Sequence, residues 1–142
     1  MSSRDYELFY FDIYVAMIKI ELVSLKYKNE DELLSDFVAW DSIIREFEII
    51  GEATNILLKE SKIDEEYRVV VDFRNKIIHH YFGIDAQAVW SIIKYDLVEY
   101  KNYILSLITK IDEPLYSELL KSTMSDNQRY KDIKNKLKEL KR

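Results

Sequence analysis

Arg74, Asn75, His79, His80 and Tyr81 fall within eight positions of the stretch RNKIIHHYFG, residues 74 to 83. His79 and His80 are the only histidines in the chain, and Gly83 is one of two glycines. Histidine is the side chain that exchanges a proton near neutral pH. Arginine stays charged and presents a planar fork that matches a phosphate or a carboxylate. The two together meet the needs of RNA cleavage without a metal. One group removes the proton of a 2′-hydroxyl, and a fixed cation offsets the charge that builds on phosphorus. The same residues also have a purely structural use. A histidine in a last helical turn interacts well with the helix dipole, and an arginine nearby can bridge to a carboxylate.

Spacing constrains how these groups meet. On a helix Asn75 and His79 are four apart and share a face, so Asn75 can orient the imidazole. Arg74 and Tyr81 are seven apart and also align. Arg74 and His79 are five apart and point about 140° away from each other. Either the helix loosens before Gly83, or two copies of the motif meet across a dimer. Adjacent histidines diverge on a helix and a His-Glu-x-x-His pattern is absent, so no metal is expected here.

The elements that must position this stretch are helical. Two glycines and one proline in 142 residues leave little turn chemistry for hairpins or for a phosphate-cradling loop. Leu8, Phe11, Val15, Ile18 and Leu22 recur at spacings of three and four, predicting a first helix over 4–28. After the break KYKNEDE, with Asn29 as a cap, a second helix is expected over about 30–59. Leu34, Phe37, Ile44, Phe47, Ile50 and Ile56 would face inward. Gly51 inside it costs about 1 kcal/mol relative to alanine, and close approach of another backbone is the expected reason. A third helix opens at Asp64, carries Val70, Phe73 and Ile77, and ends near Gly83. A fourth spans about 85–111 with Val89, Ile92, Ile93, Leu97, Tyr100 and Ile104 apolar, and the lone Pro114 follows it. Four such helices pack most simply as an antiparallel bundle. A short helix over Tyr116–Thr123 and a basic one after Ser125 form a C-terminal helical appendage. The expectation is one all-α domain over 1–142, with its core at about 4–111 and its basic tail at about 115–142.

Composition narrows the function classes. Hydrophobic residues make up 48% and charged residues 33%, which is globular composition. The absence of cysteine excludes disulfides, thiolate catalysis and cysteine-based zinc sites, and fits the cytoplasm. The N-terminal MSSRDYELFYFDIY is acidic where a signal peptide needs a basic start, and no apolar run is long enough to span a membrane. The net charge of −5 is uneven: residues 129–142 hold seven basic and two acidic side chains, a local +5 against −10 elsewhere. Ile133, Leu137 and Leu140 draw an apolar seam through this tail. It is suited to docking on the bundle, on a dimer mate or on another protein, and its basic face to meeting RNA or simply water.

RNKIIHHY fits the pattern Arg-x-x-x-x-His-x-Tyr and resembles the HEPN-domain toxins of the HepT family, with Arg74, His79 and Tyr81 in the matching places. IIREFEIIGEATNIL, residues 43 to 57, resembles that family's second helix with its Gly-Glu-Ala. FRNKIIHHYFGIDAQAVWSIIKYDL, residues 73 to 97, resembles its Arg-Asn, His-x-Tyr, Ile-Asp and Val-Trp succession. The resemblance covers about 34–111 and weakens over the first helix. It implies a HEPN-type bundle that dimerises, bringing two copies of the motif into one cleft. It also implies a metal-independent endoribonuclease, the toxin of a prokaryotic toxin–antitoxin pair that acts on RNA, with tRNA as a family-level candidate. Arg74 and His79 would be catalytic and Asn75 a supporting polar residue. Tyr81 would be the acceptor of AMP, transferred from ATP by an MntA-type nucleotidyltransferase antitoxin. No cofactor of the chain's own is implied, ATP serving only the partner. An adduct two residues from the histidine would fill the RNA site and place negative charge where a phosphate binds. His80, at the variable position, reads as a neighbour rather than a second proton carrier. Two other readings stay in play. One is a non-catalytic dimeric partner that recruits substrate for a nucleotidyltransferase and uses Arg74 and His79 to bind nucleotide. The other is a structural bundle in which Arg74 pairs with a carboxylate.

Overall fold

The computed structural model describes residues 3–79 and 85–142, with side chains from residue 5 onward. Among them every regular element is helical, so the chain is an all-α bundle with a C-terminal helical appendage. The elements in chain order are α1 (Ser3–Ser24), α2 (Glu30–Ser35) and α3 (Phe37–Lys59), then a 3₁₀ turn (Glu65–Tyr67). After it come α4 (Arg68–His79), α5 (Ala86–Ser91), a π segment (Ile92–Asp96), α6 (Leu97–Thr109), α7 (Leu115–Asp126) and α8 (Lys131–Lys138).

The first helix is more central than its predicted stripe. Phe11, Ile13, Tyr14, Ala16, Met17, Ile18 and Ile20 are all buried, because α1 packs against α3, α6, α7 and α8 at once. Leu8 of the predicted stripe sits at the rim instead, 36% exposed.

The predicted second helix is two helices. Asn29 caps α2 as expected, its Oδ1 accepting from the Glu32 N–H at 3.0 Å. Asp36 then takes an extended conformation and serves both neighbours. Its N–H donates to the Leu33 carbonyl, and its Oδ1 accepts from the Ala39 N–H at 3.3 Å. Its Oδ2 accepts from the Tyr27 hydroxyl at 2.5 Å. The Tyr27 bond is the largest cause that holds the Asp36 carboxyl below the usual carboxylate range. A capping aspartate competes with helix continuation, which an apolar pattern does not reveal. The inward positions shift around the break, with Leu33 rather than Leu34 the buried residue of α2. Leu34 and Phe37, expected inside, are 47% and 73% exposed, and Ile56 is half-buried, while Ile44, Phe47 and Ile50 face the core.

The fourth helix runs as predicted through α5, the π segment and α6, capped by Asp85 on the Gln87 N–H at 2.9 Å. Val89, Ile93 and Leu97 are buried at intervals of four, and each such interval drifts about 40° on a regular helix. The wider π turn, in which the Leu97 N–H reaches the Ile92 carbonyl, takes up that drift.

Candidate active site

The start of α4 is anchored by tyrosines. Tyr67 stacks against Tyr100 at 4.8 Å and Tyr103 at 4.3 Å between centroids, and the Tyr103 hydroxyl accepts from the Asp64 N–H at 3.0 Å. Tyr100 is buried and shares a 2.7 Å hydrogen bond with Thr54 of α3, and its burial pushes the phenol well up. Arg68 forks onto Glu65 at 2.9 and 3.1 Å and ties the 3₁₀ turn to the first turn of α4. Asp64 makes no side-chain cap, so the predicted opening at that residue is a 3₁₀ lead-in and the α-helix begins at Arg68.

The inner face of α4 then meets α3. Val71 and Ile77 are buried, and Phe73 packs edge-on against Phe47 at 5.1 Å, a geometry adding about 0.5–1.5 kcal/mol beyond the area it buries. One turn further along α3 lies Gly51. A Cβ built there would stand 2.2 Å from Arg74 Cβ and 2.4 Å from Arg74 Cγ. The glycine therefore does mark a close approach. What approaches is the stem of the motif arginine rather than another backbone.

Arg74 leaves this seat with its guanidinium held at two points. One terminal nitrogen donates to Glu52 Oε1 at 3.3 Å and the other to Asn75 Oδ1 at 3.1 Å, while Nε is buried without a partner. The side chain remains 25% exposed, so the fork is braced yet open on one side. Glu52 stands in the Gly-Glu-Ala of the family resemblance, where the sequence assigns it no role. Its partnership with Arg74 follows from the contact between α3 and α4, which joins residues twenty-two apart.

Asn75 takes a different part from the one its spacing suggested. Its oxygen serves Arg74, and no hydrogen bond joins it to His79. His79 is exposed in the last described turn of α4, which is regular helix from Arg68 through His79. Arg74 and His79 thus leave one helix about 140° apart, and no loosening brings them together before His79. His80, Tyr81 and the predicted end near Gly83 lie outside the described residues. Among the described residues no group of three or more histidine or carboxylate side chains gathers to hold a metal, and no helix is long and apolar enough to cross a membrane.

A family model described as "Ribonuclease HepT-like" matches residues 13–107, from the middle of α1 to the end of α6. The chain belongs to the HepT-like ribonuclease family. The matched span contains Gly51, Glu52, Arg74, Asn75, His79 and Tyr81 and excludes α7 and α8. "Putative RNase MJ0125" of Methanocaldococcus jannaschii is 31% identical over 80% of this chain and 99% of its own length. "Putative RNase MJ1216" of the same organism is 31% identical over 79% of this chain and 94% of its length. "Probable ribonuclease HepT" of Thermococcus cleftensis is 34% identical over 70% of this HepT-like chain and 92% of its own length. No solved structure matches the chain.

Proposed function

We propose that this chain is a metal-independent endoribonuclease, the toxin of a toxin–antitoxin pair, that cleaves RNA with Arg74 and His79. The observation that carries the reading is the seating of Arg74. Its stem lies on Gly51, its fork is braced by Glu52 and Asn75, and one side stays open within the span that matches the family. His79 takes the proton from a 2′-hydroxyl. The resulting oxyanion attacks the adjacent phosphorus, the bond to the 5′-oxygen breaks, and that oxygen leaves with a proton. The products are a 2′,3′-cyclic phosphate and a 5′-hydroxyl. Arg74 offsets the charge on the non-bridging oxygens during the attack. The imidazole and the guanidinium diverge on one helix, so the working site forms where two copies place their α4 ends together, as a homodimer.

Tyr81 is the control point in this reading. A nucleotidyltransferase antitoxin joins the tyrosine oxygen to the α-phosphorus of ATP, and pyrophosphate departs as the phenolic proton is lost. The adduct closes the cleft to RNA by bulk and charge. The chain itself needs no cofactor.

The test is cleavage of tRNA and mRNA by purified protein in excess EDTA, beside His79→Ala, after intact mass establishes that Tyr81 is unmodified. Cleavage by the wild type alone is expected. No cleavage by either protein would favour a non-catalytic partner of the nucleotidyltransferase.

A further inference from the structure

The C-terminal appendage lies wholly beyond the family-matched span. Its apolar seam is used within its own chain. Ile133 and Leu137 are buried, and α8 packs on α1 and α7. The Tyr116 hydroxyl donates to the Leu140 carbonyl. Arg142 closes the end, donating to the Thr109 carbonyl at 2.7 Å, pairing with Glu113 at 3.3 Å and lying 3.6 Å over the Tyr116 ring. With the seam spent, what α8 offers outward is charge.

That charge is ordered. Lys131, Lys134 and Lys138 follow at spacings of three and four, within about 60° of one another on one flank of α8, and Lys141 lies just past its end. Asp132 and Glu139 fall together on the opposite flank, about 100° or more from the middle of that row. Lys131, Lys138 and Lys141 are exposed and Lys134 half-exposed, and among the described residues none of the four pairs with a carboxylate. Lys131 to Lys138 covers about 10 Å of helix, and Lys141 follows through a turn in which its N–H reaches the Lys138 carbonyl. At the head of the row stand Arg129 and Tyr130, the latter 53% exposed with Lys19 Nζ 5.5 Å over one face of its ring. Tyr130 lines a groove of about 560 Å³ whose rim also includes Glu52, the partner of Arg74, while Arg74 itself is not among its lining residues. The groove also holds Asp12, Asp126 and Glu46, the last paired with Lys19 at 3.9 Å, so acidic side chains outnumber its one lysine and the row is the attractive surface beside it.

We infer that α8 is an RNA-docking arm. Lys131, Lys134, Lys138 and Lys141 contact successive phosphates of a single strand, and Tyr130 offers its ring to a base. The inference rests on the ribonuclease reading only in its choice of RNA as the occupant of a surface complementary to a polyanion.

The experiment measures binding of a labelled single-stranded RNA by anisotropy at several salt concentrations, in a His79→Ala background so that the RNA stays intact. One variant changes all four row lysines to glutamine, which leaves the seam and Arg142 untouched. A charge-matched control changes the exposed Lys26, Lys28, Lys59 and Lys110 to glutamine. Equal melting temperatures establish that both fold. At about 0.7 in the salt slope for each single-strand contact, the row variant should bind on the order of 10²-fold more weakly at 0.1 M salt. Its slope of log affinity on log salt should fall by about 3. The control should stay close to the parent. Equal losses in both variants, or none in the row variant, would overturn the inference. So would an acidic polypeptide such as polyglutamate binding through the row while RNA affinity is unchanged. Cleavage by the unsubstituted protein is scored separately. RNA held by the row but never cut defeats the ribonuclease reading alone, and cutting with unchanged binding by the row variant defeats the arm alone.

Discussion

Arg74 and Arg142 are each held by a carboxylate at 3.3 Å, yet they are built for different ends. Arg142 spends its fork on Glu113 and the Thr109 carbonyl, and the Tyr116 ring covers its face. It is a clasp for the appendage. Arg74 has its stem locked on Gly51 and its Nε buried without a partner, and each terminal nitrogen spends one hydrogen bond and keeps a second N–H to offer. An arginine becomes available to a phosphate when packing fixes its direction before hydrogen bonds exhaust its donors. Precision then comes from the neighbouring helix, and capacity from the donors left over.

The strongest way to break the contrast is to remove the chemistry of the motif that holds Arg74 and leave Arg142 untouched. His79→Ala should lower RNA cleavage by about 10²–10⁴-fold, the usual reach of a proton-transfer group, with little change in melting temperature. Arg74→Lys should cost about 10²–10³-fold in kcat, because an ammonium keeps the charge but not the fork. Single-turnover cleavage at saturating RNA measures both, and a variant of either kind that cleaves at the wild-type rate would remove that residue from the mechanism.

Gly51→Ala tests whether the seat matters. The added methyl meets the Arg74 stem at 2.2 Å, so α3 and α4 must part, at about 1–3 kcal/mol of overpacking. Thermal unfolding should show the loss, and cleavage by the folded fraction should fall as well. A variant with unchanged stability would mean that the helices yield freely at this point. Arg142→Ala should lower the melting temperature by about 2–4 °C through loss of the ring contact, and leave the catalytic constant untouched. A drop in kcat at saturating RNA would erase the distinction between the two arginines. The smallest change is expected from Glu52→Gln, which keeps an acceptor for Arg74 and removes the charge that competes with phosphate. KM should fall a few-fold as kcat holds, whereas Glu52→Ala should lower kcat by freeing the fork. Equal kinetics for both variants would reduce Glu52 to a surface ion pair.

Local information carried far in this chain. Spacings of three and four marked the long helices, Asn29 marked a cap, and the order of Gly51, Arg74, His79 and Tyr81 was enough to place the family. The seam of Ile133 and Leu137 was legible as well. These features are written within one or two helical turns, where side-chain type and backbone geometry act on the same few residues. Other features were not legible. Asp36 splits a continuous apolar pattern because its carboxylate also finds Tyr27, nine residues away. Asn75 turns to Arg74 because Glu52, twenty-two residues earlier, has already directed that guanidinium. The tail's seam could have met any apolar surface, and its own α1 and α7 offered the one it found. Periodicity tells a helix which of its faces is apolar; only the packed tertiary structure decides which neighbour that face meets, and so which donors of an arginine remain unspent.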